Sequence, residues 1–266
     1  MAAMSADRKA SAREKAEAAR RAQASAERRK RQFVILGAVV ALLAVAVVIG
    51  VVVSNNKATS EAALGTGPFV APSGAAGADD LAIPYGANQD AKVALVIYED
   101  FRCPFCKEAE SMFEPVYKAY AADGKIKVQY HLVNLIDRNL GGTGSIRSGN
   151  AGACAQSAGK FPELHDVLYA NQPEETDDAF GSNATLINLA KKVPGLVTAP
   201  FEACVNNDTH GSWVVRNFDA LNALLKGSPS TPYYAINGTR FPLTNQAAAV
   251  QQASLKAALD KAVAAS

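Results

Sequence analysis

The chain has 266 residues, 49% of them hydrophobic, and a net charge of only +2. That near-neutral sum hides an asymmetry: residues 1–32 hold ten Lys or Arg against four acids, so they carry +6 and the remainder carries −4. With no aromatic-basic module, this balance excludes a nucleic-acid binder, and the basic segment fits membrane topology and anionic lipid instead.

After the basic segment 1–32 come residues 33–53, 21 positions without a charge. At 1.5 Å per residue they extend roughly 31 Å, enough for a hydrocarbon core of about 30 Å, and are predicted to form a single N-terminal transmembrane helix. Arg28, Arg29, Lys30 and Arg31 adjoin its start while only Lys57 lies near its end, so the positive-inside rule places the N-terminus in the cytoplasm. The expected location is the cell membrane, single-pass, with an extracytoplasmic domain that holds all four cysteines. A signal anchor is the reading adopted. The alternative is a cleavable signal peptide, whose apolar region is typically about 7–15 residues; Ala-rich sequence beyond Lys57 supplies a small-x-small site. Residues 54–79, rich in Ala, Gly, Ser, Thr and Pro, are predicted as a flexible linker. Residues 80–266 have the right size for one well-buried domain.

Within that domain a short strand is expected near 81–85 and a core strand over 92–98. The core strand runs into Cys103-Pro104-Phe105-Cys106 at the start of a helical pattern that reaches about residue 122, with a bend expected at Pro115. Asp123-Gly124 ends it, and residues 126–132 form the next strand. Helical periodicity follows over 151–158, 161–171, 185–192, 200–206 and 212–225. Residues 233–236 and 239–241, joined by Asn237-Gly238, read as a hairpin, because that pair tolerates the positive φ of a type I′ turn. A last helix covers about 245–264.

The chemistry lies in Cys103 and Cys106. A helix N-terminus offers free N–H groups and a partial positive charge, which favours the thiolate, and the spacing lets the two sulfurs form a reversible disulfide. Half of a zinc site is the alternative reading, but a structural site needs four ligands and no second Cys-x-x-Cys accompanies this one. His131, His165 and His210 stand in no ligand spacing, so no metal is expected. Trp213, Phe218, Leu221, Leu224 and Leu225 fall at helical spacing and read as core. Glu99 and Asp100, at a strand end, read as capping or solvent-facing.

Asp100-Phe101-Arg102-Cys103-Pro104-Phe105-Cys106, together with Ser230-Thr231-Pro232 ahead of the hairpin, resembles the DsbA-like thioredoxin-fold thiol:disulfide oxidoreductases over about residues 80–265. The Ala- and Gly-rich composition and the form of the anchor resemble actinobacterial members. The resemblance implies an α/β thioredoxin fold with an inserted helical block at about 140–226, Cys103 as attacking thiol, Cys106 as resolving thiol, and a cis peptide bond at Thr231-Pro232 facing the sulfurs. It implies no cofactor. Partners would be exported proteins bearing cysteine thiols and a membrane quinone-linked protein that reoxidises the pair; a monomer is expected. Phe101, Pro104, Phe105 and Tyr233 are assigned to substrate binding by their placement near the cysteines. The chain departs from the family pattern at Phe105, where strongly oxidising members have His, and at Ile97, where many relatives have an acid. Both departures bear on the reduction potential, so isomerase or reductase activity stays an alternative to disulfide introduction. A non-catalytic chaperone or metal carrier is the reading from a different class.

Cys154 and Cys204, one in each of two predicted helices of the block, remain as a structural disulfide once the active pair is set aside, and some relatives resemble this chain in joining two helices of the insertion. Two buried free thiols are the alternative.

Overall fold

The computed structural model describes residues 63–266. The basic segment, the predicted span 33–53 and the first part of the linker lie outside the described residues. Among the described residues no helix is long and apolar enough to cross a membrane.

The strands are β1 (Ile83–Tyr85), β2 (Val93–Glu99), β3 (Ile126–Leu132), β4 (Tyr233–Ile236) and β5 (Thr239–Phe241), in one sheet of order β1-β3-β2-β4-β5. β2 and β3 are parallel, with Leu95 opposite Val128, and the other pairings are antiparallel. A parallel pair needs a crossover, which α1 (Pro104–Ala122) supplies, running on through Pro115. Alternation in β2 sends Val93, Leu95 and Ile97 into a core shared with Cys106, Phe113 and Tyr117 of α1. Tyr98, Phe218, Leu221 and Tyr233 form a smaller second core. Both residues of the β4–β5 turn have positive φ, Asn237 at 48° and Gly238 at 78°, as the expected hairpin requires.

Between β3 and β4 lie α2 (Leu135–Leu140), α3 (Gly144–Ser157), α4 (Phe161–Ala170), α5 (Asn183–Ala190), α6 (Ala199–Asn206) and α7 (Gly211–Leu224). After α4 the chain passes through a 3-10 turn, and α8 (Ala248–Ala264) ends the fold beside α1. The helical insertion therefore starts earlier than predicted, and α2 and the first half of α3 are additions. Residues 144–150 have poor helix propensity, which hid them. They are helical because acids from elsewhere cap the start: the amides of Ser145 and Ile146 donate to Asp137 and that of Gly144 to Asp178. Their small side chains are also needed for packing, since a Cβ on Gly149 would lie 2.8 Å from a Val214 methyl on α7. Leu224, read as core, is instead 49% exposed at the end of α7.

The predicted flexible linker 54–79 is corrected over its described part. Residues from Ala63 lie against the domain: the carbonyls of Pro68 and Val70 accept from Ser212 Oγ (2.6 Å) and His210 Nδ1 (2.8 Å), and Ala76 bridges to Ala82. Buried polar side chains at the start of α7, its N-cap residue His210 and Ser212, thus find their partners in this strap, which a composition argument does not see.

Cys154 and Cys204 are bonded, with Cα atoms 5.9 Å apart, tying α3 to α6. The loop closed spans 50 positions, which corresponds to about 4 kcal/mol in the chain-entropy account. Replacing both by Ala is expected to lower the melting temperature by several degrees while thiol–disulfide activity persists, as thermal denaturation and a turnover assay would show. Lost activity at unchanged stability would instead mark this pair as a second redox centre.

Candidate active site

β2 carries the chain to the site. After Glu99 the chain turns through Asp100–Arg102, and Cys103 becomes the N-cap residue of α1, with Pro104 in the first turn, where a missing N–H leaves no bond unmade. The Cys103 carbonyl accepts the first helical bonds, from the amides of Cys106 (3.1 Å) and Lys107 (3.3 Å). Both thiols are free. Cys106 lies a turn inside and is fully buried, and its sulfur accepts from the Asp100 amide at 3.5 Å. Cys103, although it starts the helix, is only 3% exposed, because the loop ahead of β4 lies over it. Its Sγ donates to the Thr231 carbonyl at 3.7 Å, and the Thr231-Pro232 peptide bond is cis.

This geometry separates the two thiols. Hydrogen bonding from Cys106 stabilises the Cys103 thiolate and outweighs burial; with the Thr231 side chain and the amides of Cys106 and Phe105 it brings the pKa down to about 7. Burial pushes the Cys106 thiol well up, and the neighbouring Cys103 and the Glu99 charge add to it. At neutral pH the arrangement offers one half-ionised sulfur and one protonated sulfur within bonding reach, the asymmetry that dithiol–disulfide exchange needs.

The sequence assignments to substrate binding divide. Phe105 is 67% exposed and Pro104 is exposed, and Phe105 lines a cavity of about 360 Å³ with Met112, Phe113, Pro232 and Leu243. Phe101 and Tyr233 are corrected: both are buried. The Phe101 ring packs on His165 and Tyr169 of α4, and Tyr233 sits edge-on to Tyr98 in the second core. A turn that buries three polar neighbours carries Phe101 inward with them.

Those neighbours are the residues that sequence reasoning missed. Glu99 and Asp100 are fully enclosed rather than solvent-facing. Glu99 accepts from His165 Nε2 (3.0 Å) and the Tyr169 hydroxyl (3.1 Å). Asp100 accepts from the amides of Arg102 and Ile136, both at 2.8 Å, while burial and the nearby Asp137 raise its pKa to about 8. Arg102 pairs with Asp137 at 2.6 Å, and Asp178 lies 3.1 Å away. On α1, Glu110 accepts from the hydroxyls of Tyr117 and Tyr234. Burial and the Glu99 charge raise its pKa to about 7. Burial opposes a charge on His165, but Glu99 facing it, with hydrogen bonds to Asp166 and Glu99, prevails and raises its pKa to about 10. Glu110 was legible, because residues 106, 110, 113 and 117 share one helical face. Glu99, Glu110 and His165 have possible ligand atoms within 4.8 Å of one another, yet each is already bonded within the protein.

Two outcomes follow from these charges. In the reduced protein, iodoacetamide is expected to modify Cys103 with a midpoint near pH 7 and to spare Cys106, read by peptide mapping; preferential modification of Cys106 would reverse the two roles. His165→Gln is expected to destabilise the fold by about 3–5 kcal/mol near neutral pH, since it leaves the Glu99 charge buried and unpaired. The folded-state pKa of His165 is raised to about 10, so its contribution is complete below about pH 6.5 and lost as pH rises through 10. Urea denaturation should therefore show the gap between parent and variant closing over that window; a gap independent of pH would refute the charged pair.

The family model for Thioredoxin matches residues 82–261. Among solved structures, oxidised DsbA of Mycobacterium tuberculosis is similar at 25% identity and a TM-score of 0.55, over 69% of this chain and 98% of that one. Reduced DsbG from the same organism, a disulfide bond oxidoreductase, is similar at 26% and 0.55, over 71% and 95%. BdbD of Bacillus subtilis, at 22% and 0.55 over 73% and 97%, shares the fold. No curated protein matches the chain. With a Cys-Pro-Phe-Cys helix start against a cis-proline loop and a helical insertion between β3 and β4, the chain belongs to the thioredoxin family and is a DsbA-like thiol:disulfide oxidoreductase.

Proposed function

We propose that this protein is a membrane-tethered extracytoplasmic oxidase that introduces disulfides into exported proteins through Cys103 and Cys106. The observation that carries the reading is the placement of the Cys103 sulfur, at the start of α1 and 3.7 Å from the Thr231 carbonyl, next to Pro232 and Phe105, which line a groove of mixed apolar and polar character. In the oxidised enzyme a substrate thiolate attacks Cys103 Sγ, the Cys103–Cys106 bond breaks, and Cys106 leaves and takes a proton. A second substrate thiolate then attacks the substrate sulfur of the mixed disulfide and Cys103 leaves as thiolate. The substrate has lost two electrons and two protons, and the enzyme pair has gained the electrons. The raised pKa of Cys106 makes it a thiol once released, so it competes poorly with the second substrate thiolate for the mixed disulfide. A quinone-linked membrane protein takes the electrons onward.

Several features support the accessory assignments. Pro232 lines the groove with Phe105 and Thr231 lies beside the Cys103 sulfur, so this loop offers a wall for an extended substrate, and the exposed Pro104 and Phe105 offer a rim for unfolded apolar segments. The charge-free run 33–53, with its basic N-terminal flank, supports the anchor and its orientation. A monomer suffices for this chemistry. One observation favours a second reading: a Cys103 thiol lowered only to about 7, with no His in the motif, suits a less oxidising couple and hence a reductase or isomerase.

The oxidised protein is expected to convert a reduced, unfolded two-cysteine substrate to its disulfide stoichiometrically, and Cys106→Ser to accumulate a mixed disulfide through Cys103. Phe105→Ser should raise KM for that substrate about fivefold with kcat little changed, as expected for roughly 1 kcal/mol of apolar contact. Failure to oxidise the substrate, with efficient reduction of its disulfide instead, would overturn the oxidase reading.

A further inference from the structure

Gln172 lies just beyond α4, in the helical insertion, and is half-buried. Its side-chain Nε2 donates to two main-chain carbonyls at once, Phe101 O at 2.8 Å and Cys103 O at 2.9 Å. Both partners are acceptors only, so the amide must present its NH₂ group, and the two hydrogens of that group match the two carbonyls. These carbonyls flank Arg102 and belong to the residues that enter the active-site helix. We propose that Gln172 is a positioning residue for the Cys103 thiol, holding the backbone of residues 101–103 so that the first amides of α1 point at the sulfur and the carbonyls point away from it.

The physical argument concerns dipoles. Cys103 Sγ sits where the amides of Phe105 and Cys106 stabilise its negative charge. That depends on the Cys103 carbonyl staying in the helix, where it already accepts from the amides of Cys106 and Lys107. Carbonyls released from Gln172 are free to rotate, the first turn frays, and the negative end of a carbonyl can approach the sulfur; each change disfavours the thiolate. The neighbouring contacts of the insertion act on other parts of the same turn: His165 and Tyr169 hold the Glu99 carboxylate, and Asp137 holds the Arg102 guanidinium. Gln172 is thus the link from the insertion to the main chain on both sides of Arg102. The proposal rests on Cys103 as the attacking thiol and does not depend on the direction of electron flow.

The test compares Gln172→Glu and Gln172→Met with the unsubstituted chain, full-length and reduced. Cys103 ionisation is followed by ultraviolet thiolate absorbance and by the pH dependence of alkylation. Met keeps the length without donors, while Glu keeps the shape but offers only acceptors and a negative charge. The Met variant is expected to raise the Cys103 pKa by about half a pH unit, roughly a threefold loss of thiolate at about pH 6, and the Glu variant to raise it further. Both should make the reduction potential of the pair more negative. A role confined to stability would lower the melting temperature and leave the titration in place. If Gln172→Met does not fold, Gln172→Asn, which keeps the amide one methylene shorter, carries the same titration. A parent chain that labels first at Cys103, with variants that titrate as it does, would overturn the role of Gln172 alone. A parent that labels first at Cys106 would overturn the reading of the site and this proposal with it.

Discussion

Within four residues at the end of β2, Glu99, Asp100 and Arg102 take ionisable side chains out of water, and the structure depends on how they are partnered. An isolated buried charge costs several kcal/mol, so such a turn folds only where partners are waiting. All the partners outside the turn come from the segment between β3 and β4: His165 and Tyr169 for Glu99, the Ile136 amide for Asp100, and Asp137 for Arg102. Asp137 also caps α3, so one carboxylate joins the active-site turn to the start of the insertion. The active site and the helical block are therefore one cooperative object, and the insertion is part of how the site is built.

That joint construction produces the difference between the two thiols. Cys106 lies beneath the turn, among apolar side chains and close enough to Glu99 to feel its charge, and is held as the thiol. Cys103 sits at the helix start, where amides and the Cys106 hydrogen bond favour the thiolate. Ile97, six residues before Cys103, brings no charge to the site, but the acid two residues later, Glu99, lies in the interior beneath it. A charged pair, Glu99 with His165, thus lies where a lone carboxylate would otherwise be costly.

Much of the fold and the centre of the site were legible in the chain. Alternating apolar residues marked β2 and β3, Asn237-Gly238 marked the hairpin, and the family resemblance set the Thr231-Pro232 loop against Cys103 and Cys106. What was not legible came from contacts distant in sequence. Glu99 and Asp100 look like ordinary strand-end acids until His165 and Ile136 arrive. The first half of α3 reads as a Gly- and Ser-rich loop until Asp137 and Asp178 cap it and Val214 packs against it. Residues 63–79 look like a tether because their docking sites, His210 and Ser212, lie more than 130 positions away. Phe101 and Tyr233 were assigned by nearness to the cysteines, which says nothing about the side of the chain a ring takes.

The central claim is that the Cys103–Cys106 disulfide oxidises substrate thiols, and the measurement that tests it most directly is the reduction potential of this pair in the full chain, by equilibration with glutathione buffers. The account predicts a value at or above about −200 mV, positive enough to pass the disulfide on. A value near that of thioredoxin, about −270 mV, would contradict it and make this protein a reductase.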